Sequence, residues 1–310
     1  MQITPATIDA LFYTINTQYQ GAYERATPWW NKVAMMVNST GRENRYAWLR
    51  LIPRLREWVG ERVFRNLETA GYVLANKDYE ATLQISRNDI EDDNIGVYSP
   101  FAQMLGDQAA RWPDDLLLDI MTNGQTYLGF DGQAFFSTSH PTGQPGSAAV
   151  YSNYSASGLP LTSANYQTAR QTMMSFVGED GRPLRITPNL LVVPPQLEAS
   201  ARQILNADFT APAGALGQNA AAQYQRNVLQ GSAELLVVPD LTVDAGGWYL
   251  LDMSKPVKPF VFQQRKAPTT VALTDPQNEN LFMRKEYVYG VDARGNAGYA
   301  LPYLAYKGHS

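Results

Sequence analysis

The sequence has no cysteine, only two histidines and no apolar run long enough to span a bilayer. Without cysteine there can be no disulfide staples, thiolate metal sites, thiol nucleophiles or iron–sulfur centres. A cysteine-free chain also fits assembly in a reducing compartment. A membrane helix needs about 20 predominantly apolar residues, and none is present. The opening MQITPATIDALF lacks the basic and apolar stretches of a secretory signal, so the chain reads as a soluble protein. Charge is scarce too: Asp, Glu, Lys and Arg make up 17%, against about 25% in an ordinary globular chain. With 25 basic and 29 acidic residues the net charge is −4, which speaks against a dedicated nucleic-acid binder.

What the chain does have is length and aromatic rings. Its 310 residues imply one large domain or two intertwined ones. The hydrophobic share of 45% suffices for a sizeable core, and 18 tyrosines dominate an aromatic share of 11%. Few charges and many rings point to a surface that other chains cover, hence to a subunit.

Thr4 and Pro5 open an amphipathic helix whose stripe is Ile8, Leu11, Phe12, Ile15 and Tyr19, with Gly21 as its stop. The stripe reads either as the core side of a first helix or as an arm laid on a neighbouring chain. Residues 42–65 hold seven arginines against Glu43, Glu57 and Glu61, interleaved with Tyr46, Trp48, Leu51, Leu55 and Trp58. Such a stretch suits either nucleic acid or carboxylates of another subunit, and the overall acidity favours the second. Alternation in Tyr72–Ala75 and Asp78–Arg87 makes 43–88 a long hairpin with Gly60 and Gly71 as breakers. Ser99-Pro100 caps a helix with Phe101, Met104, Leu105, Ala109 and Trp112 on one face. Pro113 starts a second, with Leu116, Leu117, Ile120 and Met121 apolar and Gly124 closing it. Together they form one bent rod. A helix from Ser163 follows, then strand 189–193, helix 196–206, a loop over 210–232, and strands 234–238 and 248–252. This is a compact α/β lobe between 185 and 260. The tail is strand-like, and Tyr287, Tyr289, Tyr299, Tyr303 and Tyr306 crowd it as either core or interface.

No motif asks for catalysis. Asp89–Asp93 is acidic but lacks Ca²⁺-loop spacing and a nearby histidine, so it reads as structural or interfacial. Ser139-His140-Pro141 lacks a nucleophile elbow, which makes His140 a turn residue. The glycine-rich Gly290–Gly298 lacks the dinucleotide spacing and reads as a hairpin turn. No catalytic, cofactor or metal residue is assigned. Paired carboxylates of a glycosidase are a matter of spatial arrangement and stay open at this point.

Several stretches resemble the major head subunits of Mu-like tailed phages. They are Pro53–Gly60 with Arg62 and Asn66-Leu67, Asn76–Thr82, Arg87–Asp93, Gly96–Tyr98, Tyr127–Phe136 with His140-Pro141, and Thr187–Pro195. One departure is Thr138-Ser139, where the family pattern leads one to expect an acidic residue. The resemblance implies an α+β Hong Kong 97-like capsid fold. It divides the chain into an N-arm (1–41), an E-loop (42–90), a peripheral domain with spine helix (91–184), an axial domain (185–259) and peripheral return strands (260–310). It further implies self-assembly into pentamers and hexamers of an icosahedral shell around packaged double-stranded DNA, in a virion built in the host bacterial cytoplasm. The partners implied are a separate scaffold protein, a maturation protease, a portal at one vertex, a decoration protein and non-specific contact with DNA. The separate scaffold follows from a chain that starts at the arm. Inter-subunit contacts are expected at Arg54, Arg56, Glu57 and Trp58, and at Ile8, Leu11, Phe12 and Ile15. An encapsulin-like compartment shell and, further off, a hydrolytic enzyme are the competing functions.

Overall fold

The computed structural model describes residues 4–46, 72–92, 95–142, 148–155, 158–178, 180–210, 225–275 and 279–310. Helix α1 (Pro5–Arg25) is capped at Thr4, whose hydroxyl accepts from the Thr7 amide while Thr7 answers in kind. It runs past Gly21 because Ala22 packs against the next long helix. Then come α2 (Trp30–Val33), β1 (Ala34–Asn38), β2 (Glu43–Tyr46), β3 (Tyr72–Ala75), β4 (Lys77–Ser86), α3 (Arg87–Glu91) and α4 (Tyr98–Thr122). A short ladder of β5 (His140–Pro141) with β6 (Val150–Tyr151) precedes α5 (Ser163–Met174), β7 (Leu190–Val193) and α6 (Glu198–Asn206). The chain ends with β8 (Phe209–Thr210), β9 (Gln225–Arg226), β10 (Glu234–Val237), β11 (Gly247–Leu251), β12 (Phe260–Leu273), α7 (Glu279–Arg284), β13 (Glu286–Tyr299) and β14 (Ala305–His309).

Two four-stranded sheets carry the fold, in the orders β1-β12-β13-β4 and β10-β7-β11-β14. The first has one face on the helices: Tyr287 and Tyr289 of β13 meet Phe12 of α1, while Tyr79 of β4 and Phe262 of β12 meet Trp112 of α4. The second is covered on both faces, so its central strands β7 and β11 read as unbroken apolar runs. Val192, Tyr249 and Leu251 join Leu117, Phe135 and Phe260 in one core. Leu191, Val193, Trp248 and Leu250 share another with residues of α5 and α6. A third core joins α1, the first half of α4, β4 and β13.

The predicted rod is one 25-residue helix with Pro113 inside it, about 37 Å at 1.5 Å per residue. It starts at Tyr98 without a side-chain cap rather than at Ser99. Its first half keeps part of the expected face, since Leu105 packs on the third core and Trp112 on Tyr79 and Phe262, but Phe101 and Met104 turn outward. Ala102, Gly106 and Ala110 are buried while Phe101 and Met104 are 54% and 64% exposed. The reason is close helix contact: a Cβ on Gly106 would lie 2.3 Å from the Tyr19 carbonyl of α1.

The predicted 43–88 hairpin is shorter in its described part. Only β2 and β3 pair as a hairpin base, and β4 leaves to pair with β13 over ten residues. Gly290–Gly298 is not a turn but lies within β13. Gly295 is there for close approach, since a Cβ on it would sit 2.4 Å from the Gln263 carbonyl. The last strand, β14, pairs with β11 and so joins the second sheet instead of the tail's own.

Candidate assembly surface

Arg54, Arg56, Glu57 and Trp58 lie outside the described residues. The strands that flank 47–71 are described, and polar contacts moor them to the first sheet. Gln263 of β12 is fully buried and serves both strands. It accepts from Tyr46 Oη at 2.7 Å and donates to the Leu74 carbonyl and to Asn76 Oδ1. Tyr72 Oη takes the Tyr299 amide at 3.0 Å, and Asn296 Nδ2 donates to the Ala75 carbonyl. Burial pushes the Tyr46 phenol up to about 12, which keeps it a neutral hydrogen-bond donor. Gly298 leaves room for this stem, because a Cβ there would sit 2.8 Å from Tyr72 Oη.

Ile8, Leu11, Phe12 and Ile15 are buried within their own chain, where they pack with Ile85, Ile90, Tyr98, Tyr287 and Tyr289. Of the two readings of that stripe, the core side of a first helix is what the chain shows. The same holds for the tail. Tyr287, Tyr289, Tyr299 and Tyr306 are buried in their own subunit, so the tail's tyrosine surplus is largely internal.

The surface left open is elsewhere. Phe101 and Met104 stand on the outer side of α4 with Val97 just before its start, and Tyr13 is 75% exposed on α1. Beside them an open groove of about 560 Å³ runs between α1 and α4, with Ala22, Ala26, Pro100 and Met104 as its apolar lining and Arg25, Asp107 and Arg111 as its charges. The sequence carries a signal for this arrangement. Ala102, Gly106 and Ala110 recur every four residues, a stripe of small side chains that lets another helix approach and turns the large ones outward.

The acidic run is structural where described: Asp89 accepts from Tyr98 Oη and Glu91 pairs with Arg87 at 3.0 Å. His140 is not a turn residue but lies fully buried in β5. Its Nδ1 lies 2.6 Å from Asp131, and its Nε2 lies 3.2 Å from both the Phe135 carbonyl and Asn153 Oδ1. The nearby Ser139 hydroxyl faces Ser137 instead. Histidine and serine are thus not joined as base and nucleophile.

A chain with two helix-backed sheets, a strand pair moored by polar contacts and no reactive constellation among these residues has the anatomy of a building block. The model of the Mu-like prophage major head subunit gpT matches residues 8–159, 154–241 and 242–310. The chain belongs to that family. The major capsid protein of Escherichia phage Mu is 31% identical over 305 residues, covering 98% of this chain and 74% of that protein. The FluMu prophage major head subunit of Haemophilus influenzae is 29% identical over 304 residues, covering 98% and 73%. Among solved structures, a chain of the bacteriophage JBD30 procapsid superposes with a TM-score of 0.60 at 30% identity, over 99% of this chain and 76% of that one. A virus-like particle of Pyrococcus furiosus shares the fold at 9% identity and a TM-score of 0.50, over 96% and 98%. As a gpT-family head subunit the chain is a major capsid protein of the virion, and the α+β capsid fold expected of it is the one observed. Among the described residues no helix is long and apolar enough to cross a membrane.

Proposed function

We propose that copies of this chain associate into pentamers and hexamers and close an icosahedral phage head around double-stranded DNA. The observation that carries the reading is the family match along almost the whole chain, joined to the procapsid superposition at 30% identity. The chemistry agrees. The described residues offer a moored stem and exposed apolar side chains on α4, and a net charge of −4 limits adhesion to DNA. Contact with packaged DNA is then non-specific and weak. A separate scaffold protein, a maturation protease and a portal complete the head. A decoration protein is a further partner, and support for it is the JBD30 capsid decorated with minor capsid protein trimers, 26% identical over 69% of this chain. In this reading the Arg-rich segment around Arg54, Arg56, Glu57 and Trp58 binds carboxylates of an adjacent subunit.

The test is co-expression with the natural scaffold and negative-stain imaging. The unsubstituted chain forms closed shells, while Arg54→Glu with Arg56→Glu yields folded capsomers or monomers and no shells. Intact particles from that double variant would refute the contact, and particles loaded with an enzyme in place of DNA would favour a compartment shell.

A further inference from the structure

The second sheet carries opposite charges at its two ends. β7 and β10 begin, and β11 finishes, at one end, with Leu190 beside Glu234 on one side and Leu251 on the other. The loops there, 180–188 and 252–258, hold Arg182, Arg185, Lys255 and Lys258. They are close in space: Lys255 Nζ donates to the Arg185 carbonyl at 2.7 Å, and Lys258 Nζ donates to the Met253 carbonyl. Arg182 and Arg185 are exposed, and Lys255 is half-buried beside them. None of the four has an ion pair among the described residues.

Of the described carboxylates at this end, Glu234 pairs with Lys32 at 3.3 Å and the other two bind chiefly backbone. Asp180 accepts the Arg182 amide. Asp252, fully buried, accepts the amides of Thr187 and Ser254 and the Ser254 hydroxyl. Arg185 adopts φ of 55°, a left-handed conformation uncommon for a residue with a side chain. That backbone holds its carbonyl toward Lys255.

At the opposite end β7 and β10 finish and β11 begins. There Asp240 follows β10, with its Oδ2 taking the Trp29 indole N–H at 3.1 Å. Asp115 of α4 lies within electrostatic reach. Burial and then the Asp240 charge raise its carboxyl above the ordinary value. Asp119 is one turn farther along the same exposed side of α4. No lysine, arginine or histidine forms an ion pair with any of these three among the described residues, although Arg111, paired with Asp107, lies within electrostatic reach of Asp240.

We propose that the cationic loops of one copy dock on the Asp115–Asp119–Asp240 surface of a second copy, a contact that repeats head to tail around a ring. The proposal rests on the chain being a shell subunit and names how neighbours within one capsomer recognise each other. Unlike surfaces at opposite ends of one rigid sheet make a heterologous contact, and such contacts close rings when the rotation per copy is right. A two-fold contact through either end would set like charges against each other, which disfavours the wrong pairing.

The experiment uses charge reversal in the full chain, read by sedimentation velocity, with circular dichroism as the check on folding. Arg182→Glu with Lys255→Glu, and separately Asp115→Lys with Asp119→Lys, remain folded and sediment as monomers where the unsubstituted chain forms rings or shells. The variant carrying all four reversals assembles again, and so does an equimolar mixture of the two pair variants. Raising salt from about 0.1 to 1 M shortens the screening length from about 10 to 3 Å and loosens the rings of the unsubstituted chain.

Wild-type assembly by either pair variant overturns the proposal, as does a folded four-reversal variant that stays monomeric. If Arg182→Glu with Lys255→Glu assembles normally but loses binding to a short DNA duplex, the loops belong to nucleic acid and the proposal falls. If the unsubstituted chain forms no rings or shells, the shell reading fails. The mixture of pair variants then still decides the contact, by forming complexes or not.

Discussion

At the scale of single residues, the most telling side chain is Asp114. It is 2% exposed, and its two oxygens accept the Trp29 and Trp30 amides at 3.2 and 2.8 Å, which holds the start of α2 on α4. Burial pushes its carboxyl up to about 6. The two amides oppose that, the Asp240 charge adds to it and Arg111 offsets part of it. A carboxyl raised in the folded state takes up protons on folding, so its contribution to stability is complete below about pH 4. It fades as pH rises through about 6. The shift of about two units corresponds to roughly 3 kcal/mol at most. Urea denaturation of the unsubstituted chain and of Asp114→Asn, from pH 4 to 7, should show their stability difference drifting by up to that order, with the unsubstituted chain losing ground as pH rises. A constant difference would show that the carboxyl titrates normally. None of this is legible in the sequence, where Asp114 and Asp115 after Pro113 look only like first-turn residues of a helix. The amides that Asp114 holds belong to residues 85 and 84 positions earlier in the chain.

At the scale of elements, periodicity locates most helices and strands but not always the face they bury. For the second half of α4 the expected apolar residues Leu117, Ile120 and Met121 are buried. For the first half the rule of large residues inward holds at Leu105 and Trp112 but fails at Phe101 and Met104, because α1 comes so close at Gly106 that the small Ala102, Gly106 and Ala110 take the buried stripe. β13 defies its pattern for a related reason. Glycines are turn formers in a lone sequence, yet here Gly295 and Gly298 make space for Gln263 and Tyr72. The moored stem is legible only as alternation in 72–75, since its anchors Gln263, Asn296 and Tyr299 come from strands about 190 to 230 residues away. Gly106→Ala tests the helix contact. Its new methyl meets backbone at 2.3 Å, so the helices must separate, at a cost of about 1–3 kcal/mol. Thermal unfolding should register this as a lower Tm, whereas Gly21→Ala, with open space around its Cβ, should leave Tm unchanged or raise it. Equal behaviour of the two variants would show that α1 and α4 are not in tight contact.

At the scale of the whole molecule, one lysine of β14 forms a buried ion pair with the turn between β10 and β11 and also reaches the last residue of α4, donating to the Thr122 carbonyl at 3.5 Å. Lys307 is 2% exposed, with its Nζ 2.9 Å from Asp244 and its ammonium over the Tyr249 ring at 5.3 Å. Tyr249 Oη donates to Asp244 at 2.8 Å, and His309 lies 3.0 Å from the other oxygen. Burial acts to raise the Asp244 carboxyl, but Lys307, Tyr249 and His309 outweigh it and hold it below the ordinary value. Lys307→Met leaves that carboxylate buried without its main cation, which should cost about 3–5 kcal/mol. Asp244→Asn alone strands the ammonium instead. The two together remove both charges, so the double variant should be less destabilised than the sum of the singles, and a double-mutant cycle by urea denaturation measures the coupling. Additive losses would mean that the pair acts as two independent packing residues. The strong coupling expected here would make β14 a latch: its residues join β11 to the end of α4 and so tie together elements up to 185 residues apart.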